Sequence, residues 1–439
     1  MLKLAEPREV DNAPSLRKYK QFGRQAPLKL EPSSAIIGFD FGTAYTKVVI
    51  QWRARHYAVP WRDGDDDCQR FLLPSVVFVG SDGFASLDRG KRAITSLIDG
   101  IKGRLLPLSE AELAANPEAA VDAVLFMASA LRHAMAWFKG IATSQRGDVS
   151  TWRLNIGLPA EPWQDEPLRE GLRRIGAAAL LLAEDVAEIT RASSRHALQQ
   201  AGAASRPVAV VAEFAAQLAS YMKGPQRQND LHMLIDVGAG TVDLVAFNSH
   251  VTEDAELLPL AGAAVERLGA HYLLAALAGR SGQDREWEDG DSKESDGYFA
   301  RLNREDSAEV AQRRDTFHRV FRFAMGRLGN EAHQWYPQSE KFRAGTRNRI
   351  PVFLCGGGSH IEQFRDMILK YTGFRVELRS LPMPGAIEGF SDEAAFHRLS
   401  VAYGLSLNSR NLAQVWKREL DPSLRARRVV DFGDRDADR

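Results

Sequence analysis

Two stretches decide the fold: residues 35–50, AIIGFDFGTAYTKVVI, and residues 233–248, MLIDVGAGTVDLVAFN. In each, an apolar run ends on an aspartate (Asp40, Asp236) and a turn bearing glycine and threonine follows. The turns are Gly42-Thr43 and Gly238-Ala239-Gly240-Thr241, and a second β-branched run leaves each of them. β-Branched runs interrupted by glycine predict strand–turn–strand. One unusual hairpin present in each half of the chain predicts two similar halves facing each other; no short-period solenoid repeat is visible.

The segments around these hairpins alternate strand and helix. Residues 153–158 read as a strand, followed by Pro159 and a helix starting near Asp165, with Pro167 in its first turn and Leu168, Leu172 and Ile175 on one face. Residues 208–211 read as a buried strand feeding a helix from Glu213 to Met222. Residues 351–355 read as another, followed by Gly356-Gly357-Gly358 and a helix with Ile361, Phe364, Ile368 and Tyr371 at helical spacing. Ser359 with Glu362 reads as a capping box at that helix's start. The alternation predicts α/β architecture.

Three segments read as peripheral. Residues 1–34, with Pro7, Pro14, Pro27 and Pro32, are expected to be a mobile arm. Residues 279–306, dense in charge and glycine, are expected to form a solvated insertion. Residues 411–439 are expected to be a charged, fraying tail in which Leu412, Val415, Trp416 and Leu420 form one short docked helix.

Bulk properties exclude several function classes. The 439 residues carry 57 Lys+Arg and 57 Asp+Glu, so no global field draws nucleic acid or an acidic membrane surface. Cys68 and Cys355 make neither a disulfide framework nor a zinc site. No apolar run has the length of a membrane span, and the polar, basic N-terminus lacks a secretory core, so a cytoplasmic location is expected. The ten histidines show no paired metal spacing. No Walker-type loop, complete Gly-x-Gly-x-x-Gly or Gly-x-Ser-x-Gly elbow occurs.

What remains is a phosphate-binding constellation. Binding a nucleoside triphosphate requires backbone N–H groups converging on phosphate oxygens, a divalent cation, and acids to hold that cation's waters. The hairpin turns supply such parts twice, with Asp40 and Asp236 as the acids. The turn Gly356-Gly357-Gly358-Ser359 adds a third glycine-rich approach after a strand.

The order of these pieces resembles the actin, sugar-kinase and heat-shock ATPase superfamily, and most closely the nucleotide-binding domain of DnaK-type chaperones. Residues 35–50 and 233–247 resemble the two phosphate motifs. Ala212-Glu213-Phe214-Ala215-Ala216 resembles the first connecting helix and residues 400–407, SVAYGLSL, the second; residues 352–361 resemble the adenosine motif. Residues 155–175, with Leu158-Pro159-Ala160, and residues 74–78 resemble further chaperone segments. The likeness spans about residues 35–410. It implies a two-lobed actin-like ATPase fold of duplicated ribonuclease-H-like lobes with inserted subdomains. Lobe I would be 35–205 with an insertion at about 71–118, and lobe II 206–410 with one at about 261–349.

The resemblance also implies roles. Gly42, Thr43, Ala44, Tyr45, Gly238, Ala239, Gly240, Thr241, Gly356, Gly357, Gly358 and Ser359 would contact ATP or ADP. Asp40 and Asp236 would hold Mg²⁺ through water, Glu213 would position the attacking water, and Lys102, in LIDGIKGRLL, would contact phosphate. Positioning and charge neutralisation are what phosphoryl transfer needs.

Three departures stand out. Ala239 replaces the middle glycine of the usual triplet, and Phe214 stands where the chaperones have proline. Nothing after Leu407 resembles their interdomain linker, and a peptide-binding domain cannot fit in the residues that remain. The implied function is therefore a chaperone-like ATPase switch acting through a separate protein partner. A filament-forming actin-like ATPase, a non-hydrolysing nucleotide-binding scaffold and a sugar kinase are the alternatives.

Overall fold

The computed structural model describes residues 19–21, 33–62, 68–88, 93–105, 117–185, 188–201, 207–251, 256–271, 308–337, 339–342, 348–372, 375–408 and 412–418. Among these residues, three sheets and nine helices form a mixed α/β protein. Strands and helices are numbered along the chain.

The first hairpin is β2 (Ser34–Asp40) and β3 (Tyr45–Trp52), with β4 (Arg55–Ala58) antiparallel to β3. On the far side of β2, β9 (Thr151–Leu158) and then β10 (Val208–Ala212) add in parallel. β16 (Ile387–Glu388) borders β4, and β5 (Leu73–Pro74) pairs with the start of β3. The second hairpin is β11 (Asp230–Val237) and β12 (Val242–Val251), with β13 (Glu256–Glu266) antiparallel to β12. On the far side of β11, β14 (Ile350–Cys355) and then β15 (Val376–Arg379) add in parallel. Thus β10-β9-β2-β3-β4 and β15-β14-β11-β12-β13 share one strand order and one set of directions. β6 (Val77–Gly80), β7 (Ala85–Ser86) and β8 (Ile94–Ile98) form a small third sheet.

The helices are α1 (Ile101–Leu105), α2 (Pro117–Ser144), α3 (Glu166–Glu184), α4 (Arg191–Gln200), α5 (Glu213–Gln217), α6 (Ala219–Lys223), α7 (Ala308–Trp335), α8 (Glu362–Tyr371) and α9 (Phe396–Ser406). α3 starts as its sequence predicts. The Asp165 carboxylate accepts from the Leu168 amide at 3.0 Å, Pro167 sits in the first turn, and Leu168, Leu172 and Ile175 are buried. α2 is the one described helix long and apolar enough to cross a membrane, and 83% of its apolar window is buried inside the protein.

The second large sheet is buried on both faces. Leu231, Met233 and Ile235 meet α7 and α8, while Leu234 and Phe247 join the larger core with α5, α6 and α9. Phe214 is 2% exposed and packs on Phe247 at 6.2 Å, and Tyr221 packs on Phe353 at 4.6 Å, so α5 and α6 wedge between the sheets. Phe214 thus anchors the segment that carries Glu213.

His232, fully buried, stacks between Phe247 and Phe353 and meets the Tyr221 hydroxyl at 2.8 Å. Burial, with Lys341 nearby, pushes its pKa down to about 3; burial likewise lowers His56 and His397, each to about 4. A histidine neutral when folded but protonated when unfolded contributes stability above its unfolded pKa of about 6.5, and that contribution is lost as pH falls. Urea midpoints are therefore expected to drop between pH 7 and pH 4.5, less steeply in His232→Gln. An unchanged slope in that variant would refute the assignment.

Several expectations are corrected. The tail helix is a strand, β17 (Gln414–Arg418), parallel to β13. Ala413 and Val415 are buried while Gln414 and Trp416 are half-buried, a period of two, and the free edge of β13 supplies the ladder. Within the expected mobile arm, β1 (Tyr19–Gln21) pairs antiparallel with β17. The rest of that arm up to residue 32, the insertion at 279–306 and the tail beyond 418 lie outside the described residues. The expected helix from Glu213 to Met222 is two short helices. β10 lies beyond the expected lobe boundary at 205/206 yet belongs to the first sheet. The capping box is absent: Ile361 is the α8 N-cap without a side-chain cap, because Ser359 Oγ donates to Gly356 O at 2.8 Å. Neither Cys68 nor Cys355 is joined in a disulfide.

Candidate functional site

Both hairpins turn towards one cleft of about 730 Å³. A Cβ added at Gly240 would lie 3.1 Å from Thr43 Cγ2, so the two turns approach closely. The first hairpin lines the cleft with Asp40, Gly42, Thr43, Ala44 and Tyr45, and the second with Asp236, Gly238, Ala239 and Thr241. Lys102 enters from α1, Glu213 from the first turn of α5, and Gly356, Gly357 and Gly358 from the turn after β14. Gly356 needs its type: its φ is +84°, and a Cβ would overlap Asp236 Oδ1 and come 2.7 Å from the Val237 carbonyl carbon. Gly240 and Ser359 stand outside the lining; the Ser359 hydroxyl is spent on its own turn.

The turns are braced by backbone contacts. Ser75 Oγ donates to Gly42 O at 2.8 Å and the Ser75 amide to Ala44 O at 2.8 Å. Behind the second turn, the Ala270 and His271 amides donate to the carbonyls of Gly238 and Ala239, each at 2.9 Å. The Ala239 carbonyl is therefore in use.

The acids come in ordered pairs. Across the first hairpin Asp40 lies opposite Lys47, and Lys47 Nζ reaches Asp40 Oδ2 at 2.7 Å. At the matching position of the second hairpin, Asp236 lies opposite Asp243. Lys102 Nζ donates to Glu213 Oε1 at 2.7 Å, and Gln217, one turn after Glu213, donates from Nε2 to Asp236 Oδ2 at 2.8 Å. Four carboxylates thus face two lysines. Burial pushes the Asp243 carboxyl well up, with Glu213 and Asp236 adding; burial raises Glu213 against the pull of Lys102, and Asp236 against the bond from Gln217. Burial alone would lower the Lys102 ammonium, but Glu213 and Asp40 outweigh it and hold it above its usual value. Two carboxyls directly opposite in a hairpin would repel if both were charged, and burial pushes both towards the neutral form.

Neither comparison with known proteins adds to this.

No protein-family model matches the chain, and no curated protein matches it significantly. The cleft must be read from its own geometry.

The site residues that sequence reasoning missed are Lys47, Gln217, Asp243, His397 and Arg398. The last two enter the cleft because α9 begins at Phe396, earlier than the SVAYGLSL segment. Among the described residues, no three His, Cys, Asp or Glu side chains converge as direct metal ligands. The residues do fit a hydrated cation. Asp243 Oδ1 is buried without a partner, and the carboxylates outnumber the lysines.

Proposed function

We propose that this chain is a Mg²⁺-dependent ATP-binding and ATP-hydrolysing switch whose two matching sheets are the cores of two facing lobes of an actin-like fold. The observation that carries this reading is the convergence of two equivalent hairpins on one cleft, each presenting an aspartate beside a glycine–threonine turn.

In this reading Asp40 and Asp236 would hold Mg²⁺ through water, and Gln217, bonded to Asp236 Oδ2, fixes the direction of that carboxylate. The amides of the two turns and the hydroxyls of Thr43 and Thr241 meet phosphate oxygens. Mg²⁺, when bound, supplies charge neutralisation for the phosphates. Lys102 neutralises further charge and also holds Glu213, whose carboxylate orients the attacking water from the first turn of α5. Such a site works by positioning and electrostatics, without a covalent intermediate.

The helices α5, α6 and α9 between the sheets are the natural pivot. Nucleotide state would set the angle between lobes, and a separate protein partner preferring one angle would be switched by hydrolysis. This makes the protein chaperone-like in its engine, working in the cytoplasm through another protein.

Thermal unfolding with and without Mg-ATP tests the site. At a hundredfold the dissociation constant, the ligand is expected to add about 2.7 kcal/mol to wild type. Asp236→Asn keeps the shape and the acceptor for Gln217 and is expected to lose that gain. No shift of folded, nucleotide-free wild type at millimolar Mg-ATP would sink the proposal. A shift with the nucleotide recovered uncleaved would leave a binding scaffold in place of an ATPase.

A further inference from the structure

In α2, Asp122 is 4% exposed among the buried side chains of Ala119, Ala120, Val121, Ala123 and Val124. Burying an ionised carboxylate is unfavourable unless charged partners offset it. Two arginines do so here, from two different helices. Arg191, the first residue of α4, brings Nη1 to 2.7 Å from Asp122 Oδ1, and Arg104 of α1 brings Nη2 to 3.1 Å from Oδ2. Arg191 has a second acid in Glu118, one turn back on α2, which Arg195 also holds. Asp122 is the acid that Arg104 meets among the described residues.

α1 depends on such a hold. It is five residues long with Gly103 at its centre, and a helix that short has no stability of its own. Ile101 and Leu105 are buried, and Arg104 supplies a further attachment. Lys102 and Arg104 stand two residues apart, about 200° around the helix. Asp122 therefore holds one side of α1, while Lys102 projects from the other to reach Glu213 Oε1 at 2.7 Å.

We propose that Asp122 is a positioning residue for Lys102: through Arg104 it fixes α1 so that the ammonium meets Glu213. This rests on the roles given to Lys102 and Glu213 above and deepens them. Asp122 and Arg104 are not among the residues lining the cleft, so their effect is indirect. The competing account is that Asp122 serves only to dock α4 through Arg191.

The Glu213 carboxyl reports where Lys102 stands. Burial raises it, Lys102 pulls it down, and Asp40 and Asp236 push it up; Asp243 also faces Lys102. The charges facing Asp122 are Arg191, Arg104 and Glu118. Carboxyl ¹³C titration of selectively labelled, nucleotide-free protein, with the Glu213 signal assigned by Glu213→Gln, tests the proposal. Asp122→Asn is expected to raise the Glu213 pKa by about one pH unit, because the lysine moves away. Loss of a negative charge acting through space alone would lower that pKa, so the sign decides. Arg104→Gln, at a half-exposed position, is expected to raise it likewise. Arg191→Gln is expected to leave it in place while lowering the urea midpoint. A Glu213 pKa unchanged or lowered in Asp122→Asn, or raised as much by Arg191→Gln as by Arg104→Gln, would overturn the proposal. Mg-ATP turnover is expected to fall about tenfold in Asp122→Asn and Arg104→Gln and to hold in Arg191→Gln. Wild type without turnover would refute the ATPase reading, whereas the titration, made without nucleotide, would still decide whether Asp122 positions Lys102.

Discussion

Lys102→Ala is expected to cut ATP turnover at least about a hundredfold and to lower stability by about 3 kcal/mol near neutral pH. Lys102 and Glu213 meet at 2.7 Å with side chains 10% and 12% exposed, so removing the ammonium strands a nearly buried carboxylate. Burial and Asp40 already push that carboxyl up, and Lys102 is what pulls it down. Without the lysine the folded-state pKa rises further above its unfolded value. A raised carboxyl is a liability that grows as pH climbs from the unfolded towards the folded pKa, is complete above the folded value, and disappears below the unfolded one. Urea unfolding should therefore show a larger deficit at pH 8 than at pH 5.5. Adding Glu213→Gln removes the stranded charge and is expected to restore most of the stability but none of the turnover. A deficit of equal size at both pH values would refute the electrostatic account, and wild-type turnover in Lys102→Ala would remove the lysine from the mechanism.

The hairpins and most of the site were legible in the sequence because both are local. A strand, a glycine turn and a strand occupy sixteen contiguous residues in each quoted stretch. The missed residues were legible too, had register been read across the turn as well as along the chain. Asp40 faces Lys47 and Asp236 faces Asp243, each pair at the same offset. Gln217 follows Glu213 by one helical turn and so shares its face. Phe396 and Leu399 continue the apolar stripe of Tyr403 and start α9 before its motif, which carries His397 and Arg398 to the cleft. Pairing between chain ends was not legible. β17 gains its strand from the edge of β13 and is itself paired by β1, and nothing near either segment announces a neighbour so distant in sequence. Leu412, Val415 and Trp416 fit a helical spacing, whereas a strand face takes Ala413 with Val415, and the available edge rather than the local pattern decided.

Gly404→Ala is expected to be among the most damaging small substitutions in the chain, costing about 3 kcal/mol. Gly404 lies in α9 where that helix crosses α5, and an added Cβ would overlap the Ala216 carbonyl oxygen and sit 2.6 Å from Ala216 Cα. These are backbone atoms inside a core, so no side chain can swing aside; the two helices must separate. Gly38 repeats the arrangement on the other side of α9, where a Cβ would come 2.7 Å from the Leu405 carbonyl carbon. Displacement is therefore blocked towards β2 and has to be taken up by α5. α5 carries Glu213 at its start and Gln217 at its end, and a misplacement of about 1 Å at a reacting centre can cost about a hundredfold in rate. Turnover should accordingly fall further than Mg-ATP affinity, because the turns proposed to bind phosphate belong to the hairpins and not to α5. Gly140, exposed in α2 with nothing within 4 Å of its Cβ position, supplies the opposite sign. Gly140→Ala removes a helix-interior glycine without a clash and is expected to stabilise by about 0.5–1 kcal/mol. Thermal melts of the two variants, read beside turnover, separate a packing defect transmitted to Glu213 from a general intolerance of alanine. A Gly404→Ala protein with wild-type stability and turnover would mean that α9 and α5 are not in the contact on which this argument depends.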